Sequence, residues 1–209
     1  MIPLGVEDSS SQKVPTAEDI PPDLEYLIGT RRVILAVGRL VEYKGFSVLI
    51  EASEKLPSDV IIIVVGSGPL KNQLEVQAEL GVDQKIFFLG HQSDKILHFL
   101  FNKAELFCLP SIDRAEAFGV VLIQAMSFGL PIVTTEIPGS GVPWVNMHDA
   151  TGLNVPVGDS SALAKACCQI LNSQSLRDTF SRQARERYEN EFNDKLFMSR
   201  IFKVYNQLL

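Results

Sequence analysis

Six short, largely apolar runs, five of them followed by a segment of helical character, constrain this chain more than any other feature. They lie at 33–37 (Val-Ile-Leu-Ala-Val), 60–65, 86–89, 106–109, 132–135 and 152–155. Each is too short for a core helix and too apolar for a strand with one wet face, so they read as strands buried on both sides. Between them, Phe46, Leu49, Ile50 and Ser53 recur at helical spacing until Pro57 stops the pattern. Further helices are predicted from about Leu70 to about Leu80, from about Ser93 to about Lys103, over 119–128, and from Asp159 or Ser160 to about Asn172. Gly129 suits the left-handed position that ends a helix, and Pro131 cannot continue one. Strands alternating with helices imply right-handed βαβ units, a parallel sheet covered on both faces, and hence a Rossmann-like doubly wound α/β domain.

Composition narrows the function. The 209 residues, 46% hydrophobic and 21% charged, suffice for one sizeable core. Residues 1–30, with Ser9, Ser10, Ser11, Pro15, Pro21 and Pro22 among acidic residues, have linker chemistry, which leaves 31–209 as the domain proper. A net charge of −6 argues against nucleic acid as a partner held by bulk electrostatics. No apolar run approaches the ~20 residues that span a bilayer, and the N-terminus lacks the regions of a signal peptide, so a cytoplasmic location is expected. Cys108, Cys167 and Cys168 have neither disulfide-framework nor metal-ligand spacing and read as reduced thiols.

In doubly wound sheets ligands bind outside the carboxyl ends of the strands, which selects loops 38–45, 66–69, 90–93, 110–119 and 136–142. Arg39 and Lys44 in the first are either a diphosphate clamp or two solvated cations. Gly66-Ser-Gly-Pro-Leu70 either brings backbone close to a ligand or simply starts a helix at Pro69. The helix predicted after Gly119 offers free N–H groups to an anion, while Glu116 just upstream accepts hydrogen bonds from hydroxyls. A sugar nucleotide has both groups. The absence of Gly-x-Gly-x-x-Gly and of a P-loop disfavours nicotinamide, flavin or P-loop chemistry. His91, His98 and His148 are scattered and read as ordinary surface or packed histidines; among the phenylalanines, Phe118 alone stands beside the candidate site.

Several short motifs then occur in order: Gly38-Arg-Leu-Val-x-x-Lys-Gly45, Val65-Gly-x-Gly-Pro-Leu70, Phe88-Leu-Gly90, Pro110-Ser111, Glu116-x-Phe-Gly119 with Gln124, Gly129-Leu-Pro-Ile-Val-Thr134 and Thr151-Gly-Leu153. Together they resemble the C-terminal, donor-binding domain of retaining glycosyltransferases of the GT-B fold, the group 1 family also called family 4. The resemblance covers 31–209, and Ile2-Pro-Leu-Gly-Val6 is similar to the segment that hands the chain over from that family's N-terminal domain.

The resemblance implies a catalytic set of Arg39, Lys44 and Glu116, with the two cations on the donor diphosphate and Glu116 facing the sugar hydroxyls. Substrate-binding residues would be Gly38 and Gly68 in the glycine loops, Gln92 and Leu97 in the base-recognition wall, the backbone amides of Phe118, Gly119 and Val120, and Gln124 toward the ribose. The family has glutamate where Gln124 stands. No metal or other cofactor is implied, and the sequence has no Asp-x-Asp. Gly139-Ser-Gly-Val-Pro-Trp-Val-Asn146 followed by Thr151-Gly is similar to mannosyl- or rhamnosyl-type transferases of lipopolysaccharide or capsule synthesis, which makes GDP-mannose the first expected donor. A glycan or lipid-linked acceptor would be held by an N-terminal domain outside these residues, with a longer protein attached peripherally to the inner membrane face; the present chain alone is expected to transfer little. Phe192, Phe197, Ile201, Val204, Tyr205 and Leu208 are expected to be partly exposed for that domain. A nucleotide-sugar epimerase and a non-catalytic nucleotide-binding module are the alternatives.

Overall fold

The structure, a computed structural model, describes residues 3–11, 15, 19–81 and 83–208. Ile2 of the expected hand-over segment and Leu209 lie outside the described residues. In chain order the elements are α1 (Pro22–Ile28), β1 (Arg32–Val37), a 3-10 turn (Glu42–Lys44), α2 (Phe46–Ser53), β2 (Val60–Val65), α3 (Lys71–Glu79), β3 (Ile86–Phe88) and α4 (Asp94–Lys103). They continue with β4 (Leu106–Leu109), α5 (Val120–Ser127), β5 (Ile132–Thr135), α6 (Val142–Val145), β6 (Gly152–Val155), α7 (Ser160–Leu171), α8 (Gln174–Arg187), a wide π-type turn (Tyr188–Phe192) and α9 (Asp194–Leu208).

The strands form one parallel sheet in the order β3-β2-β1-β4-β5-β6. This is the doubly wound arrangement expected from the alternation, and its order reverses between β1 and β4. Successive residues of each strand feed opposite cores. Val33, Leu35, Ile61, Ile63 and Phe107 pack with α1, α4, α5 and the turn after α8, whereas Ile34, Ala36, Ile62, Val64 and Cys108 pack with α2, α3 and α7. All six residues of β2 are buried, and each such Val or Ile contributes roughly 1.5–3 kcal/mol on leaving water. Three helices start where a short polar side chain caps them: Ser93 accepts from Ile96 N, Asp159 from Ala162 N and Ser173 from Leu176 N.

The expected linker is a correction. Pro22–Ile28 is a helix that starts with proline in its first turn, where the missing N–H costs nothing, and it buries Leu24 and Ile28 together with Ile20 in the core. Residues 6–8 are fastened as well. Val6 N donates to Phe192 O at 2.9 Å, the Tyr188 hydroxyl donates to Val6 O at 2.8 Å, and Asp8 pairs with Arg185 at 2.7 Å.

The expected exposure near the C-terminus holds for part of the set. Phe192 is fully buried at the π-type turn, Phe197 and Ile201 are half-buried, and Val204 and Tyr205 are exposed on α9 with Met198 and Phe202. Among the described residues no helix is long and apolar enough to cross a membrane.

Candidate functional site

The strand-order reversal places the loop after β1 beside the loop after β4, and hydrogen bonds tie the two together. Ile112 N donates to Tyr43 O at 2.8 Å. From the first loop comes Lys44, from the second Glu116, both buried, with Nζ to Oε2 at 2.5 Å. Ser111 Oγ donates to the same Oε2 at 3.0 Å, and Ser140 Oγ donates to the backbone carbonyl of Glu116 at 2.5 Å. Ser111 is itself held from β5, where the Thr135 hydroxyl donates to its carbonyl. Lys44 and Glu116, expected on a diphosphate and on a sugar respectively, form one buried ion pair. The pair gives each group a counter-charge, so neither stands as an unbalanced buried charge.

Directly after Glu116 the chain enters α5 through Gly119, whose φ of +71° is left-handed and favours glycine. No side chain caps this helix. Among the described residues the N–H groups of Phe118, Gly119 and Val120 have no hydrogen-bond partner, so three donors and the positive end of the helix dipole are open to an anion. The Phe118 ring packs 5.9 Å from Trp144 and 6.3 Å from Phe192.

A cleft of about 660 Å³ runs along the ends of β1 and β2, lined among others by Gly38, Arg39, Gly68, His91, Gln92 and Leu97. Five expected site residues therefore share one wall. Arg39 is exposed, and its side chain has no ion pair or hydrogen bond among the described residues. Lys44 touches this wall from behind Gly38, where an added Cβ would lie 3.4 Å from its Cε. Gln92 Nε2 donates to Leu89 O at 2.6 Å. Gly68 has a packing reason for being glycine: a Cβ there would lie 2.3 Å from Leu40 O, and at Gly66 one would lie 1.9 Å from Gly38 O. The two glycine loops are thus pressed together, and only backbone fits between them.

Gln124 stands apart from that cleft. It lines a second cavity of about 210 Å³ with Glu7, Ser9, Asp94, Leu97, His98 and Phe128. Asp94 and Leu97 line both spaces, so the two are neighbours across the start of α4. Ser111, Ser140 and Glu7 escaped the sequence reading. Ser111 had a signal in its position just past a strand in the Pro110-Ser111 motif, and Ser140 in its place within the loop 136–142. No three His, Cys, Asp or Glu side chains among the described residues cluster as metal ligands would.

The family model described as glycosyl transferases group 1 matches residues 25–187. The chain belongs to that family. An O-antigen chain mannosyltransferase C of Escherichia coli is 27% identical over 214 residues, covering 100% of this chain and 54% of that protein. The D-rhamnosyltransferase WbpZ of Pseudomonas aeruginosa is 32% identical over 161 residues, covering 77% of this chain and 42% of its own. Among solved structures, Anabaena Alr3699/HepE in complex with UDP has the same fold, with a TM-score of 0.83 at 23% identity over 97% of this chain and 56% of that one. The group 1 chain described here thus spans about half the length of the curated relatives it matches.

Proposed function

We propose that this chain is the donor-binding part of a retaining glycosyltransferase, holding a nucleotide-activated sugar for transfer to a glycan or lipid-linked acceptor of a bacterial surface polysaccharide. The observation that carries the reading is the Lys44–Glu116 pair beside the uncapped start of α5, at the edge where the glycine-lined cleft opens. A diphosphate fits Arg39, Lys44 and the free N–H groups; a sugar hydroxyl fits the Glu116 carboxylate; a base fits the wall of His91, Gln92 and Leu97. The mannosyl- and rhamnosyltransferase relatives support GDP-mannose as the first donor to test.

In this reading catalysis rests on stabilising the leaving diphosphate. Arg39, Lys44 and the α5 N–H groups face the negative charge that grows as the anomeric C–O bond breaks, and they are oriented before reaction. A donor phosphate oxygen takes the proton of the acceptor hydroxyl, which attacks from the same face and retains configuration. No metal enters this scheme. The acceptor site belongs to an N-terminal domain, toward which the apolar residues of α9 would face.

Calorimetric titration of the chain with UDP, GDP and their mannose and glucose conjugates tests the reading. Micromolar-to-millimolar binding of one nucleotide family, weakened by Arg39→Ala, is expected. An equal lack of heat with all of them would overturn it.

A further inference from the structure

The second cavity holds an arrangement that the motif pattern does not describe. At about 210 Å³ it lies below the roughly 300–1,000 Å³ typical of a whole small-molecule site, so it suits one part of a larger ligand. Its wall carries Gln124 and, from a strand-like segment far away in the chain, Glu7. The buried imidazole of His98, 6% exposed, lines the same space, and its Nε2 is buried without a hydrogen-bond partner. A buried polar atom left unpaired is costly, and a ligand hydroxyl in the cavity would remove that cost.

We infer that Glu7 supplies the carboxylate that Gln124 lacks, so that the ribose diol is bound by Glu7, Gln124 and His98 together. The inference rests on the nucleotide-sugar reading above. An amide can accept one hydrogen bond from a diol but without charge assistance, whereas a carboxylate accepts from both hydroxyls and binds them more strongly. Glu7 is placed for this by its neighbours. Val6 is hydrogen-bonded to Phe192, and Asp8 is paired with Arg185 and accepts from Ser10 at 2.6 Å, so the backbone on both sides is held while the Glu7 carboxylate has no partner among the described residues. Asp94, the other acid in the cavity, already has a structural reason at that position, since it sits in the first turn of α4 where the helix dipole favours a negative charge. Glu7 has no such reason. It also precedes residues 25–187, the stretch that the family model matches.

The test compares binding of UDP and GDP with their 2′,3′-dideoxy forms by calorimetry, on the unaltered chain and on Glu7→Gln, Asp94→Asn, Arg39→Ala and Glu7→Gln/Gln124→Glu. The unaltered chain is expected to prefer the ribonucleotide by about tenfold or more, the scale of a hydrogen bond to a charged group. Glu7→Gln should lose most of that preference and leave dideoxynucleotide affinity unchanged, and adding Gln124→Glu should restore it. The inference is overturned if Glu7→Gln keeps the full preference, or if Asp94→Asn removes it instead, while Arg39→Ala still weakens both nucleotides. If no nucleotide binds and Arg39→Ala changes nothing, the nucleotide reading itself fails and this inference fails with it.

Discussion

Lys44 Nζ lies 2.5 Å from Glu116 Oε2, across 72 positions of sequence, and both side chains are only 10% exposed. Removing either partner strands a buried charge, which costs about 3–5 kcal/mol, while removing both costs much less than the sum. Urea unfolding of Lys44→Ala, Glu116→Ala and the double variant is expected to show this non-additivity. Additive losses would mean that the pair does not form in solution.

Arg39 should behave in the opposite way. It is exposed and unpaired among the described residues, so Arg39→Ala is expected to leave stability within about 0.5 kcal/mol. Nucleotide affinity should fall about tenfold or more, because a charge-assisted contact to phosphate is lost. Parallel thermal melts and titrations check both halves.

The contact between glycine loops predicts a steep local intolerance. Gly66 has a φ of +144°, and a Cβ would collide with the carbonyl of Gly38, so Gly66→Ala is expected to cost at least ~3 kcal/mol. Gly158, at φ +75° with nothing within 4 Å of an added Cβ, is the control. Gly158→Ala should cost only about 1–2 kcal/mol, the ordinary penalty of a left-handed residue. Chemical denaturation of both variants makes the comparison.

The fastening of the N-terminal segment should titrate at both extremes of pH. The Arg185 guanidinium hydrogen-bonded to Asp8 holds that carboxyl below its ordinary value of 3.8. Its stabilisation is therefore complete above pH 3.8 and is lost as pH falls through the lower folded value. Burial pushes the Tyr188 hydroxyl up from 10.0 to about 12, so its contribution is complete below pH 10.0 and is lost as pH rises toward about 12. Asp8→Asn should flatten the acid limb of a stability profile, and Tyr188→Phe the alkaline limb.

The sheet was legible because each strand is a compact apolar run bounded by Gly, Pro or a polar turn; the run at 60–65 is β2 residue for residue. Helix α1 was hidden by its length. Seven residues starting at Pro22 show too little periodicity to separate from a loop, and burial of Leu24 and Ile28 decided the outcome. At the site, Arg39, Lys44, Glu116 and the start of α5 were each visible as residue types at the carboxyl edge. Their pairing was not, since the contact between Lys44 and Glu116 follows from β1 and β4 being neighbours, and strand order is written in packing between distant elements. The same holds for Glu7, which reaches the Gln124 cavity only because Val6 and Asp8 are fastened to the C-terminal helices.

That fastening makes a lever of the chain's first described residues. Val6 pairs with Asn193, the residue immediately before α9, and Glu7 is the next residue along. A load that tilts α9 acts on Asn193, is passed across one bridge to Val6, and arrives one peptide bond later at the wall of the Gln124 cavity. A body seated on Met198, Phe202 and Tyr205 thus has a short mechanical route to that wall.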